Sequence, residues 1–435
     1  MKWSNYNILF YSKKIGYCLH NTRSLCFLSL DKKSYNLFEE IETDASKAKD
    51  ILNTNEYNYL CENKILVKDY EDEAYISKLE YQQRVINFKS ENLGIVFAPT
   101  LGCNFACPYC YEQGVTCKKA SEQVVNNLIN FISNQKQYKS VSLSLTGGEP
   151  LLAFDIIKLF ITKLNHETDK EISHFAIVTN GSLLNEEICV FLNKYKLSFM
   201  QITIDGDKEI HDKTRKLKNN ESSYYTIVKN IDMACELMPD CKIMIRTNIG
   251  KNNVDSYSSL YKKLKDRWKG KNIIIDPSFI LDSKLTEANI ERSPLELSPE
   301  EKCIFNASLV EQKLLKKETL YPKHRMNCHT CTRDGSYVID PEGFIYKCWA
   351  DLGHKDRSIG DVINGVNNYN IVSQYLIGSD KFSDPKCKSC KLLPICEGGC
   401  NLYRINYSIN KRPYNCCPIN EQGLIKMLET YKTAE

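Results

Sequence analysis

The sequence predicts an α/β fold: a partial (β/α)6 barrel with a small N-terminal domain and a C-terminal cysteine-rich domain. Three observations carry this. Six extended apolar runs alternate with amphipathic helical patterns between Gly94 and about residue 320. Three short strand-like runs and three helical patterns precede them. Nine of the 20 cysteines fall after residue 320. The expected boundaries are 1–90, 91–320 and 321–435, and a chain of 435 residues is long enough for two or three domains.

In the first block, the runs 7–11, 16–20 and 25–30 read as strands separated by polar turns. Helical periodicity follows over 34–41, 46–52 and 56–67. In the second block, strands are expected at 95–99, 141–146, 174–179, 199–205, 242–248 and 273–280. Helices are expected between them, for example at 121–133, 155–165, 186–195 and 224–237. Repeated β–α units imply a parallel sheet with right-handed crossovers. Six units are too few for a closed eight-stranded barrel, and active sites in such folds lie at the C-terminal ends of the strands.

Composition narrows the function classes. With 58 basic and 54 acidic residues the net charge is +4, which gives no support for nucleic acid as a partner. No run of about 18 apolar residues would span a membrane. The opening segment, Met1-Lys2-Trp3-Ser4, lacks the apolar stretch of a signal peptide. A cytoplasmic protein is expected, and in that reducing setting clustered cysteines are more readily metal ligands than disulfides.

The most specific motif is Leu101-Gly102-Cys103-Asn104-Phe105-Ala106-Cys107-Pro108-Tyr109-Cys110, a C-x3-C-x2-C triplet on the loop that leaves the first barrel strand. Three thiolates can hold three corners of a 4Fe–4S cube and leave the fourth iron for a small molecule. Gly102 and Pro108 argue for a loop wrapped around the cube. A zinc knuckle would show four ligands in paired C-x2-C spacing, and three unrelated core cysteines would explain nothing downstream. The triplet, with aromatic Tyr109 before its last cysteine, resembles the cluster motif of radical S-adenosylmethionine (radical SAM) enzymes. The resemblance implies that Cys103, Cys107 and Cys110 carry the catalytic cluster. It also implies that the open iron chelates the amino and carboxylate groups of SAM, whose reductive cleavage releases a 5′-deoxyadenosyl radical.

Further motifs fall at strand ends, as the resemblance requires. Thr146-Gly147-Gly148-Glu149-Pro150 follows the second strand; its glycines let the backbone approach a ligand closely, and Glu149 offers acceptors to an ammonium group. Thr179-Asn180-Gly181 ends the third strand, where the family meets the ribose. Asp205-Gly206 ends the fourth and leads into His211-Asp212-Lys213-Thr214-Arg215. Arg215 suits a bidentate clamp on a carboxylate; on sequence alone a surface ion pair with Asp212 is the plainer reading. Tyr109, Gly147, Gly148, Glu149, Thr179, Asn180, Asp205 and Arg215 are thus the implied SAM-binding residues. His211 reads as structural, and Arg246-Thr247-Asn248 as part of the cavity wall.

Cys328, Cys331 and Cys348, the last of them five residues after Gly343, precede Cys387-x2-Cys390-x5-Cys396-x3-Cys400 and the vicinal pair Cys416-Cys417. The pattern resembles the SPASM extension of radical SAM enzymes, which carries two auxiliary 4Fe–4S clusters. Position by position, it implies Cys328, Cys331, Cys348 and Cys400 for cluster I. Cluster II would use Cys387, Cys390, Cys396 and one of Cys416 or Cys417, with Cys417 favoured because it opens the final helical stretch. If Cys328 does not bind, cluster I keeps an open iron for a substrate thiolate. Zinc at Cys387 and Cys390 alone is the minor alternative. The remaining cysteines fit small buried residues, and Cys117, just past the cluster loop, is read as structural.

The N-terminal block resembles the winged-helix domain with which peptide-modifying enzymes bind leader peptides, pairing an edge strand with an extended leader. The implied cofactors are three 4Fe–4S clusters and SAM. The implied partners are a precursor peptide with a leader and a flavodoxin- or ferredoxin-like electron donor, with no nucleic acid and no membrane. Together the resemblances imply a peptide maturase that crosslinks a ribosomally made precursor, with a cysteine thioether ahead of a carbon–carbon (cyclophane) link. A sulfatase maturase forming formylglycine is the first alternative. Those enzymes lack about 90 residues before the cluster motif and place an aspartate after the cysteine matching Cys348, where this chain has Trp349. A non-catalytic iron–sulfur redox or scaffold protein is the alternative from another class; it would need neither Gly147–Glu149 nor Arg215.

Overall fold

The computed structural model describes residues 1–281, 295–411 and 416–434. Strands β1 (Asn7–Ser12), β2 (Gly16–Asn21) and β3 (Phe27–Leu30) form an antiparallel sheet in that order. Helix α1 (Lys32–Thr43) starts where the Asp31 carboxylate accepts from the Ser34 N–H. Helix α2 (Thr54–Glu62) starts in a capping box between Asn53 and Glu56. The helix expected over 56–67 therefore stops early: Lys64 takes a φ of +58°, and Leu66–Val67 becomes a strand paired with Lys2–Trp3. Helix α3 (Glu71–Phe88) leads into the barrel and escaped the sequence reading. Three of its four buried residues are polar (Asp72, Gln83 and Asn87, beside Leu79), so no apolar stripe announces it.

The barrel strands are β4 (Asn92–Phe97), β5 (Ser140–Leu145), β6 (Glu171–Thr179), β7 (Phe199–Thr203), β8 (Lys242–Ile249) and β9 (Ile273–Phe279), parallel and in chain order. Alternate residues enter the core against the helices: Val141, Leu143 and Leu145 of β5, and Ile243, Ile245 and Ile249 of β8, pack with Leu128, Phe160, Ile188 and Ile231. The two-residue period puts Ser142, Ser144, Arg246 and Asn248 on the opposite face. Strand β9 lies at one edge of the sheet, which is why it tolerates Pro277. The sheet is open, as six units imply.

Strand pairing crosses the boundary expected at 321. Strand β10 (Ser336–Ile339) pairs parallel with β4, and β11 (Phe344–Tyr346), β12 (Gly360–Asp361) and β13 (Gly365–Val366) continue antiparallel to a ten-stranded sheet. Strands of two to four residues carry too little alternation to be read from sequence. The N-terminal block docks on the cysteine-rich segment through Ile8, Phe10 and Cys18 against Leu392, Ile395 and Leu424. Among the described residues no helix is long and apolar enough to cross a membrane.

Candidate active site and cysteine clusters

The loop bearing Cys103, Cys107 and Cys110 is pinned from three directions. On one side Leu101 N–H donates to Lys118 O (2.9 Å) and Ala120 N–H to Pro99 O (2.8 Å). On another, Ala106 N–H donates to Lys216 O (2.8 Å) and Lys218 N–H to Asn104 O (2.9 Å). The third contact is the turn after β5, where Gly148 N–H donates to Thr100 O (3.2 Å) and Glu149 N–H to Gly102 O (2.8 Å). Gly147 has a φ of +119°, and a Cβ on Gly147 or Gly148 would collide with the carbonyl oxygen of Thr100 or Gly102. The close approach these glycines allow is thus to the cluster loop itself.

Glu149 is fully buried. Its Oε1 accepts from the Thr179 hydroxyl (2.7 Å) and Leu151 N–H (3.1 Å), and its Oε2 from Asn180 N–H (2.7 Å). Burial raises the carboxyl pKa and these donors oppose the rise. A carboxylate offers about four acceptor positions, so about one, on Oε2, stays open. Asn180 also reaches the cluster loop, donating from Nδ2 to Asn104 Oδ1 (2.8 Å).

The Tyr109 hydroxyl donates to Asp205 and accepts from Arg215 Nη1 (3.0 Å) and Asn248 Nδ2 (3.2 Å). Asp205 Oδ1 accepts from Asn248 N–H (2.9 Å). Arg215 is 8% exposed, and the surface pair with Asp212 does not form. The Asp212 carboxylate is instead taken by Ser222 (2.6 Å), Ser223 N–H (3.1 Å) and Lys208 (3.3 Å). Arg215 lies over the Phe105 ring (5.4 Å), and its Nε has no partner among the described residues. Asn248 belongs to this network more closely than the sequence reading placed it. The signal was its position two residues beyond Arg246, on the same strand face. His211 is buried and bonded to Ser223 (3.1 Å), and Cys117 is exposed.

Burial pushes the Cys103 thiol up to about 11 and the Cys110 thiol up to about 12, and raises that of Cys107. Each would need a bound cation such as iron to become a thiolate near neutral pH.

In the C-terminal block, Cys331, Cys348 and Cys400 meet against Tyr375, Leu402 and Ile405. Beside them the buried Asp351 accepts from the Tyr375 hydroxyl (2.6 Å) and Arg357 Nη1 (3.2 Å). Cys328 is exposed and lines a cavity of about 420 Å³ with Trp349, Arg333 and the sheet-face residues Gly94, Ser142 and Ser144. Cys387, Cys390 and Cys396 form the second set. Their sulfurs accept from Arg404 Nη2 (3.1 Å), Leu392 N–H (3.4 Å) and Gly398 N–H (3.2 Å) respectively. Cys417 acts electrostatically on Cys390 and Cys396, while Cys416 neighbours Cys387. Among the described residues no three candidate ligands converge closely enough for one metal ion.

An open parallel sheet carries a cysteine triplet on the loop after its first strand, backed by Gly147–Glu149. Residues 97–260 match the radical SAM superfamily; the chain contains a radical SAM domain and is an enzyme. It is 25% identical over 347 residues to a cysteine-type anaerobic sulfatase-maturating enzyme of Clostridium novyi, covering 71% of this chain and 88% of that one. It is 23% identical over 392 residues to the radical SAM cyclopropyl synthase TigE of Paramaledivibacter caminithermalis, covering 80% and 78%. Its fold matches anSMEcpe with bound AdoMet at a TM-score of 0.61, with 20% identity and coverage of 79% and 93%. It also matches Streptococcus suis SuiB bound to precursor peptide SuiA at a TM-score of 0.54, with 17% identity and coverage of 95% and 99%.

Proposed function

We propose that this enzyme is a peptide maturase that cleaves SAM reductively and installs a crosslink, a cysteine thioether before a carbon–carbon link, in a ribosomally made precursor. The observation that carries the reading is Arg215: a buried guanidinium beside the cysteine loop whose Nε donor is unspent among the described residues and whose nearest carboxylate, Asp205, is reached through the Tyr109 hydroxyl. A SAM carboxylate would give that Nε an acceptor, and the open position on Glu149 Oε2 suits its ammonium group. Thr179 and Asn180 fix Glu149 in place, and Asp205 with Asn248 fixes Tyr109. SAM on a reduced 4Fe–4S cluster supplies a carbon radical that removes hydrogen from a C–H bond.

Three features favour a peptide substrate. Strand β3 pairs only with β2 among the described residues, leaving an edge for an extended leader. The likeness to SuiB, solved with its precursor peptide, spans 95% of this chain and so includes the N-terminal block. Trp349 follows Cys348 where sulfatase maturases carry an aspartate, and the nearby Asp351 is occupied by Tyr375 and Arg357. The auxiliary clusters would then sit on Cys331, Cys348 and Cys400, and on Cys387, Cys390, Cys396 and Cys417. Cys328 is exposed on the cavity wall beside Trp349; where it does not ligate, cluster I would keep an open iron facing that cavity. A flavodoxin- or ferredoxin-like protein would deliver electrons.

The test is anaerobic reconstitution with iron and sulfide, then incubation with SAM, a reductant and the small peptide encoded beside the gene. A loss of two hydrogens per crosslink with fewer alkylatable thiols supports the thioether; the same loss with thiols intact moves the reading to a carbon-centred link. Conversion of a cysteine to formylglycine would overturn both in favour of the sulfatase-maturase reading.

A further inference from the structure

We infer that Arg404 raises the reduction potential of the second auxiliary cluster. The inference rests on the assignment of 4Fe–4S clusters to the two C-terminal cysteine sets. Arg404 lies on the helix Asn401–Asn410, which begins directly after Cys400, a member of the first set. Its side chain turns to the second set. The guanidinium is buried, and its Nη2 donates to Cys387 Sγ at 3.1 Å. The rest of the fork is fixed: Nε donates to Asp384 Oδ2 (2.9 Å) and Nη1 to Gly398 O (2.8 Å). Asp384 also caps the short helix that carries Cys387, accepting from Lys386 N–H (3.0 Å). One side chain therefore holds the Cys387 and Cys396 loops together and points a charged donor at a ligand sulfur.

A hydrogen bond to a cluster sulfur, stronger when the donor is a cation, favours the more negative, reduced state. Gly398 N–H on Cys396 and Leu392 N–H on Cys390 add neutral donors of the same sense. The first set has no charged donor bonded to a sulfur among the described residues: Asp351, paired with Arg357, acts on Cys348, Cys331 and Cys400, and Lys347 opposes it at Cys331 and Arg404, from farther off, at Cys400. The second set is therefore the one with a cation bonded directly to a ligand sulfur, and Arg404 makes it a better electron acceptor than it would be without that bond. A lysine at 404 keeps the charge but loses the planar fork that reaches sulfur and carboxylate together.

The test is an EPR-monitored redox titration of the full-length, reconstituted protein carrying Cys103→Ala, Cys107→Ala and Cys110→Ala, so that only auxiliary signals remain. The cluster II signal is the one lost on Cys390→Ala. In Arg404→Gln its oxidised-to-reduced ratio at fixed potential is expected to rise about tenfold, equal to 59 mV for a one-electron couple, with a smaller shift at cluster I, whose sulfurs Arg404 does not bond. Arg404→Lys is expected to fall between Gln and Arg. Loaded clusters with no shift would overturn the inference, as would failure of both variants to load cluster II, which would make Arg404 a folding residue only. If Cys390→Ala removes no iron from the parent protein, the cluster assignment itself fails.

Discussion

Arg215 Nη1 lies 3.0 Å from the Tyr109 hydroxyl, and that hydroxyl donates onward to Asp205. A buried cation is thus anchored through a neutral group, keeping its remaining donors for an incoming anion. Replacing Arg215 by Lys is expected to weaken SAM binding by about 30-fold, the loss of one charge-assisted hydrogen bond of about 2 kcal/mol. Iron content should be unchanged, because Arg215 is not a ligand. Equilibrium dialysis with labelled SAM against the reconstituted protein measures this, and an unchanged affinity would return Arg215 to a structural role.

The glycine pair gives a second expectation. In Gly148→Ala the new methyl meets Gly102 O, so the turn and the cluster loop cannot both keep their places. Overpacking of this kind costs about 1–3 kcal/mol. The affected unit is the loop of Cys103, Cys107 and Cys110, so iron bound by the triplet should fall while the C-terminal sets stay loaded. Iron assay and EPR of Gly148→Ala in a Cys331→Ala, Cys390→Ala background report the triplet alone, and the same assay in a Cys103→Ala, Cys107→Ala, Cys110→Ala background reports the C-terminal sets.

Much of this site was legible because its chemistry depends on residue types at short spacing. The triplet and Gly147–Glu149 each follow a strand end, Arg215 ends the short helix Lys208–Thr214 after the fourth strand, and the strand runs were readable from apolar alternation. What escaped depends on long-range partners. Helix Glu71–Phe88 buries Gln83 and Asn87, which bond Asn327 O and Leu376 O, so its inward face looks polar in sequence. The pairing of Ser336–Ile339 with Asn92–Phe97 joins segments more than 200 residues apart through four residues. Asp212 had the charge to pair with Arg215, yet its carboxylate caps the 222–224 turn instead.

The vicinal cysteines separate by their neighbours. Because Cys417 acts on Cys390 and Cys396, Cys417→Ala is expected to lose about four irons, one cube. Cys416→Ala should retain them. Iron and sulfide analysis of the two variants decides it, and the reverse pattern would assign Cys416.

Acid should act on the N-terminal sheet through His20. It is fully buried between Phe27 and Tyr321, and burial lowers its pKa to about 4. The unfolded chain, with an imidazole pKa near 6.5, binds the proton that the folded chain refuses between those values. Stability is therefore full above about pH 6.5 and falls as the pH drops toward 4, by about 2 kcal/mol at pH 5. Denaturant unfolding of apo His20→Phe should show a smaller loss from pH 7 to pH 5 than the parent. Equal losses would place the acid sensitivity elsewhere.

The central claim is that the Cys103, Cys107 and Cys110 loop, with Glu149 and Arg215, binds and cleaves SAM. It is tested most directly by quantifying 5′-deoxyadenosine after anaerobic incubation of the reconstituted, reduced protein with SAM, beside a Cys107→Ala control. The expected result is 5′-deoxyadenosine from the parent protein and none above background from the control, with iron in the C-terminal sets retained in both. Equal yields from both, or none from a parent with full iron content, would contradict the claim.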